Sequence, residues 1–144
     1  MNDSAPRKLS ANPEVQLKLA RVWWLIGWLL VLVVTVGCLE PARYVPDLHV
    51  SDKLEHAGAY FGMTCWFGGL VRRRSYWLLA LWMLLFGALI EVAQGVMGLG
   101  RDADVRDFVA DAIGVAAALT LVYVGLGTWP SRIERFVGLS REPS

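Results

Sequence analysis

With only two cysteines and two histidines in 144 residues, the chain has no material for a disulfide framework or a cysteine-based metal centre. Cys38 and Cys65 read instead as small buried apolar residues. No glycine-rich loop that would cradle a phosphate and no nucleic-acid-binding motif is present, so nucleic acid is not an expected partner. Ser51 beside His49 and His56 sketches a nucleophile and base, but no elbow motif surrounds it. Charge is also scarce, at 19% of residues against 56% hydrophobic, with a mean hydropathy of +0.45. That balance is too apolar for a soluble domain of this length and points to one all-α integral membrane domain. The net charge of +1 says little, because the charges are segregated along the chain.

Residues 1–21 are polar and hold Pro6 and Pro13, and they read as a cytoplasmic tail with a short interfacial helix near its end. Residues 22–39 carry no charge and make a helix of about 27 Å, close to the roughly 30 Å of a hydrocarbon core. Thr35 to Cys38 loosely matches a lipoprotein cleavage site, but the long leader and three later spans favour a retained helix. Residues 40–51, with Pro41 and Pro46, read as a loop with a reentrant or surface-lying piece. Ser51 or Asp52 then caps a second span over 56–71, in which Gly58 and Gly62 form a GxxxG contact face. Arg72, Arg73 and Arg74 precede a third span over 75–94, and a turn at Gly98 to Gly100 follows it. The fourth span covers 108–127, with Ala110, Gly114 and Ala118 as a second small-residue face suited to a partner helix or homo-oligomer. Residues 22–128 thus form the membrane domain, and 129–144 read as a short surface-bound cytoplasmic tail.

Ten of the fourteen basic residues fall before span one, between spans two and three, or after span four; only Arg43, Lys53, Arg101 and Arg106 fall on the other side. The positive-inside rule then places both termini in the cytoplasm. Six tryptophans, Trp23, Trp24, Trp28, Trp66, Trp77 and Trp129, sit towards the same ends, where amphipathic rings favour the interface.

Nine of the thirteen acids collect on the outer side with both histidines. Asp52, His56 and Tyr60 share one helical face at i, i+4 and i+8, as do Glu91 and Gln94 at i and i+3, and Asp104, Asp107 and Asp111 at i, i+3 and i+7. Antiparallel spans bring these faces to one depth, with Asp111 about one turn deeper. A carboxylate near a membrane interior calls for a cation such as Lys53 or Arg101, or for a proton. Three chemistries suit the group: a divalent-metal site of oxygen ligands and an imidazole, acid/base work by His56 with Glu91 or an Asp, and a structural lock of salt bridges.

The ordered set Asp52-Lys53-x-x-His56-x-x-x-Tyr60, Glu91-x-x-Gln94 and Arg101-x-x-Asp104-x-x-Asp107-x-x-x-Asp111-x-x-Gly114 resembles the VanZ-like family of small bacterial membrane proteins, over roughly residues 46–119. The family is named for a protein that lowers susceptibility to teicoplanin. The resemblance implies a multi-pass protein of the bacterial cytoplasmic membrane in a cell-envelope context, rather than a particular reaction. Asp111 departs from it, since many members carry Asn there. The expected architecture is four transmembrane helices with a polar site at the extracytoplasmic helix ends, which binds or modifies a lipid or lipid-linked precursor. His56, Glu91 and Asp107 are the candidate catalytic residues. Asp52, Lys53, Tyr60, Gln94, Arg101, Asp104 and Asp111 are the candidate binding residues, with Lys53 and Arg101 meeting an anion. The alternative is a non-catalytic membrane adaptor whose charged cluster only locks helices together.

Overall fold

The computed structural model describes residues 17–40, 52–97 and 104–139, and these are mostly helical, joined by turns and short extended links. Among the described residues five α-helices follow one another: α1 (Ala20–Leu39), α2 (Asp52–Gly68), α3 (Tyr76–Met97), α4 (Val105–Val124) and α5 (Trp129–Phe136). The 3₁₀ turns Arg73–Ser75 and Leu126–Thr128 lead into α3 and α5. The expected loop over 41–51, the turn at 98–100 and most of the N-terminal tail lie outside the described residues.

Local chemistry accounts for several helix ends. Asp104 caps α4, its carboxylate accepting from Arg106 N at 2.8 Å, and Asp107 adds negative charge to the first turn, where the helix dipole favours it. Gly125 ends α4 with a φ of 138°, a conformation that side chains rarely adopt. Asp52 and Glu55 supply the same acidic first turn to α2.

Long-range contacts set the course of the chain. At one end of the bundle, Gln94 Nε2 donates to Cys38 O and His56 meets Asp111. At the other end Trp66 Nε1 donates to Trp23 O, and Arg73 donates to Tyr123 O while stacking on the Tyr123 ring. Helices α1 to α4 therefore run alternately up and down.

Among the described residues three segments are long and apolar enough to cross a membrane, Ala20–Leu39, Arg73–Met97 and Val105–Val124. Helix α2 is not among them. It has 17 residues, about 26 Å at 1.5 Å per residue, and its first turns carry Asp52, Lys53, Glu55 and His56. It starts ahead of the expected second span and stops at Gly68, three residues short of Val71. The middle of the bundle is its place: Tyr60, Met63 and Phe67 form the core with Leu79 and Met83 of α3 and Val115 of α4. By contrast α1 buries only Gly27, and Leu25, Trp28, Leu29, Leu32, Val33 and Val36 are all more than half exposed. An apolar helix left so bare is suited to lipid.

The tightest packing joins α2 to α4. A Cβ on Gly114 would strike the carbonyl oxygen of Ala57, and one on Gly68 would lie 2.8 Å from the Val122 side chain. Ala110 and Ala118 are buried on the same face, so the small-residue row of α4 is an internal seam. The expected GxxxG face behaves otherwise. A Cβ on Gly58 or Gly62 would meet no heavy atom within 4 Å, so this pair leaves α2 open rather than packed. Both cysteines are half-buried rather than core residues, and neither is in a disulfide among the described residues.

The C-terminal segment also corrects the expectation of a surface-bound tail. Pro130 and Glu134 of α5 are buried, and Trp129 closes a ring of three tryptophans with Trp23 and Trp66, at centroid separations of 5.2 and 4.7 Å. The Glu134 carboxylate accepts from Lys18 N at 2.8 Å, Leu19 N at 3.0 Å and Trp23 Nε1 at 2.9 Å. It thus supplies the start of α1 with the cap that its own N-terminal residue lacks. Burial pushes the Glu134 carboxyl up, but the hydrogen bonds from Leu19, Trp23 and Lys18 outweigh it and hold the group below its ordinary value of 4.5. The sign follows directly. The stabilisation is complete above about pH 4.5 and disappears as pH falls through the lower folded value. Glu134→Gln is therefore expected to lower the melting temperature at neutral pH, and the gap from wild type should close on acidification. A gap that is unchanged at low pH would show that the charge of Glu134 contributes nothing.

Candidate functional site

Helical spacing places His56 and Tyr60 on the buried face of α2, Glu91 and Gln94 on that of α3, and Asp107 and Asp111 on that of α4. All six are less than a tenth exposed, at the end of the bundle opposite the tryptophan ring. Polar groups at such depth cost free energy unless they are paired.

The deepest pair joins α2 to α4. His56 Nδ1 lies 3.1 Å from Asp111 Oδ1, with the two side chains 2% and 0% exposed. An ionised carboxylate here accepts from Nδ1–H, and a neutral imidazole held in that tautomer presents Nε2 as a lone pair. Space for the Asp111 carboxylate comes from α3: a Cβ on Gly87 would lie 2.7 Å from Asp111 Oδ2 and 3.4 Å from the Tyr60 hydroxyl. Above this pair, Glu91 Oε2 accepts from the backbone N of Asp104 at 2.9 Å, tying the end of α3 to the start of α4.

The rim is ionic. Lys53 Nζ stands 3.4 Å from Asp104 Oδ2 and 3.3 Å from Asp107 Oδ1. Its contact with Asp107, then that with Asp104, raises the Lys53 pKa against a smaller desolvation effect, so it is a fixed cation. Asp104 is held below the ordinary carboxylate range by the hydrogen bond from Arg106 N and then by Lys53. Asp52 is exposed at the start of α2, and one of its oxygens lies within 4.8 Å of ligand atoms of His56 and Asp107. Gln94 does not join the cluster through the donor it gives to Cys38 O; that bond braces α3 against α1. Arg101 lies outside the described residues.

No family model, curated protein or solved structure matches the chain. The chemistry therefore has to be read from geometry. After all the contacts above are counted, His56 Nε2, Tyr60 Oη, Thr64 Oγ1, Glu91 Oε1 and Asp111 Oδ2 are buried with no hydrogen-bond partner among the described residues. Native interiors leave few such atoms, and their concentration marks this end of the bundle as its polar site. Ligand atoms of His56, Glu91 and Asp111 lie within 4.8 Å of one another, and so do those of Asp52, His56 and Asp107. The arrangement suits a proton, a cation or an anchored water.

Two members of the site escape the sequence motifs. Thr64 continues the row His56, Tyr60 at the same four-residue spacing, and extending that row would have found it. Gly87 carries no such signal, because its role is the room it leaves for side chains of two other helices.

Proposed function

We propose that this is an integral protein of the bacterial cytoplasmic membrane, akin to the VanZ-like family, with four membrane-embedded helices and both termini in the cytoplasm. In this reading the His56 end faces outwards and binds or modifies the head group of a lipid or lipid-linked envelope precursor. One observation carries it: buried polar atoms from three helices, left without partners, converge beneath an ionic rim at one end of a lipid-facing bundle. The distribution of basic residues supports the orientation. Lys53, exchanging one of its two carboxylate partners for a ligand anion, holds the head group, with Arg101, Asp52 and Asp104 around it. His56 Nε2, oriented through Asp111, serves as base or ligand together with Glu91 and Asp107, and Tyr60 and Gln94 orient what is bound. An effect on teicoplanin susceptibility is one output consistent with such a site.

A second reading has its own support. Lys53 to Asp104 and Asp107, and His56 to Asp111, all link α2 to α4, as a non-catalytic lock would. Native mass spectrometry of protein released in mild detergent separates the two. Wild type should carry an anionic envelope lipid, and Lys53→Ala should lose it with only a modest fall in melting temperature, because the lysine is half-exposed and its pair with Asp104 lies at the surface, although Asp107 is buried. Lipid-free wild type, together with a Lys53→Ala protein that melts early, would favour the lock.

A further inference from the structure

We propose that His56, Glu91 and Asp111 hold a divalent transition-metal cation, Zn²⁺ or Mn²⁺, in the inner part of the site. This deepens the head-group reading and rests on it for the role of the ion, though not for its binding.

One imidazole and two carboxylates from three different helices have ligand atoms within 4.8 Å of one another, and all three residues are buried. Donors bonded to one ion at about 2.0–2.2 Å stand roughly 3–4 Å apart, so closing on an ion takes only a small adjustment of side chains. A mixed nitrogen and oxygen set favours Zn²⁺ or Mn²⁺ over Mg²⁺, which prefers oxygen and keeps its water.

Each of the three residues also keeps an unused polar atom. His56 Nε2, Glu91 Oε1 and Asp111 Oδ2 are all buried and lack partners. An Asp111 carboxylate bonded to Nδ1 stands on the far side of the ring from Nε2, so the two residues share an ion only through Nδ1: His56 Nδ1 and Asp111 Oδ1, 3.1 Å apart, are spaced as ligands of one ion that takes the place of the proton between them, and the backbone of Asp104 holds Glu91 beside them.

Charge favours the inner group over the outer one. The outer group, Asp52, His56 and Asp107, is equally close but already holds a cation, because Lys53 Nζ sits 3.3 Å from Asp107. Among the described residues no lysine or arginine pairs with Glu91 or Asp111. Two buried carboxylates with one imidazole between them need a positive charge, and a divalent ion supplies it. Three protein ligands leave a coordination position open, where a phosphate oxygen of a head group fits.

The test uses the full chain in mild detergent, stripped with a chelator and then titrated with Zn²⁺ or Mn²⁺ alone. Wild type should bind about one ion per chain and melt at a higher temperature when loaded. Glu91→Gln and His56→Ala should each bind at least tenfold more weakly and lose the metal-dependent rise. If one of these variants fails to fold, the other gives the answer. Wild type that takes up no ion, or that binds it as tightly as Glu91→Gln does, overturns the proposal. Lipid carried by metal-free wild type would sink the ion and leave the head-group reading standing. Metal bound by a protein that never carries lipid would do the reverse.

Discussion

Gly114→Val is expected to leave almost no folded protein. Its Cβ would enter the space of the Ala57 carbonyl, which is helix backbone and unable to turn aside. The α2–α4 seam would have to open, separating Gly68 from Val122 and His56 from Asp111. Overpacking a core costs ~1–3 kcal/mol when side chains can give, and a backbone clash belongs at or beyond the top of that range. Size-exclusion profiles and melting curves of the detergent-solubilised protein would show it as aggregation or early melting. Gly58→Ala and Gly62→Ala serve as the contrast. Nothing lies within 4 Å of either new Cβ, and alanine is the better helix former, so both variants should melt at or slightly above wild type. A Gly114→Val protein as stable as wild type would mean that α2 and α4 do not pack as described. Destabilised Gly58 and Gly62 variants would show that this face is covered by another helix.

The second large effect is expected at Asp111. Its carboxylate is completely buried 3.1 Å from His56 Nδ1, and no other acceptor stands at that nitrogen among the described residues. Asp111→Ala would leave a cavity and an imidazole N–H unpaired, and breaking a buried pair by removing one partner costs ~3–5 kcal/mol. Asp111→Asn keeps an oxygen facing the imidazole, so it should fold and melt close to wild type. It gives up the negative charge, however, and should lose ligand binding. The order of melting temperatures, with Ala far below Asn and Asn near wild type, is the result to look for. An alanine variant that melts with wild type would remove the pair from any account of stability.

The convergence of His56, Glu91 and Asp111 was legible in the sequence. Four-residue spacing fixes which side chains share a helix face, and alternating spans bring helix ends together in pairs. The character of α2 was harder to read. Its apolar residues suggested a span running to Val71, whereas the helix ends where Gly68 and Gly69 come against Val122 and Trp129. The GxxxG pattern pointed to contact at Gly58, but the close approach is at the neighbouring Ala57, against Gly114 of another helix. A small residue shows where helices are able to meet, and only the partner decides which face is used. Glu134 gave least warning. It stands between Arg132 and Arg135 in what reads as a charged tail, and its partners lie more than a hundred residues away. Trp129-Pro130 was the available clue, since proline is favoured in the first turn of a helix.

The cap that Glu134 places on α1 also orders the making of the protein. Helix α1 leaves the ribosome well before α5, and its opening amides wait until the acceptor arrives from 116 residues further along. During synthesis the exposed start of α1 has only water or lipid head groups to bond. The nascent chain is therefore sealed at this end only when α5 arrives, and a product truncated before Trp129 enters the membrane with α1 unfastened, an early target for membrane proteases.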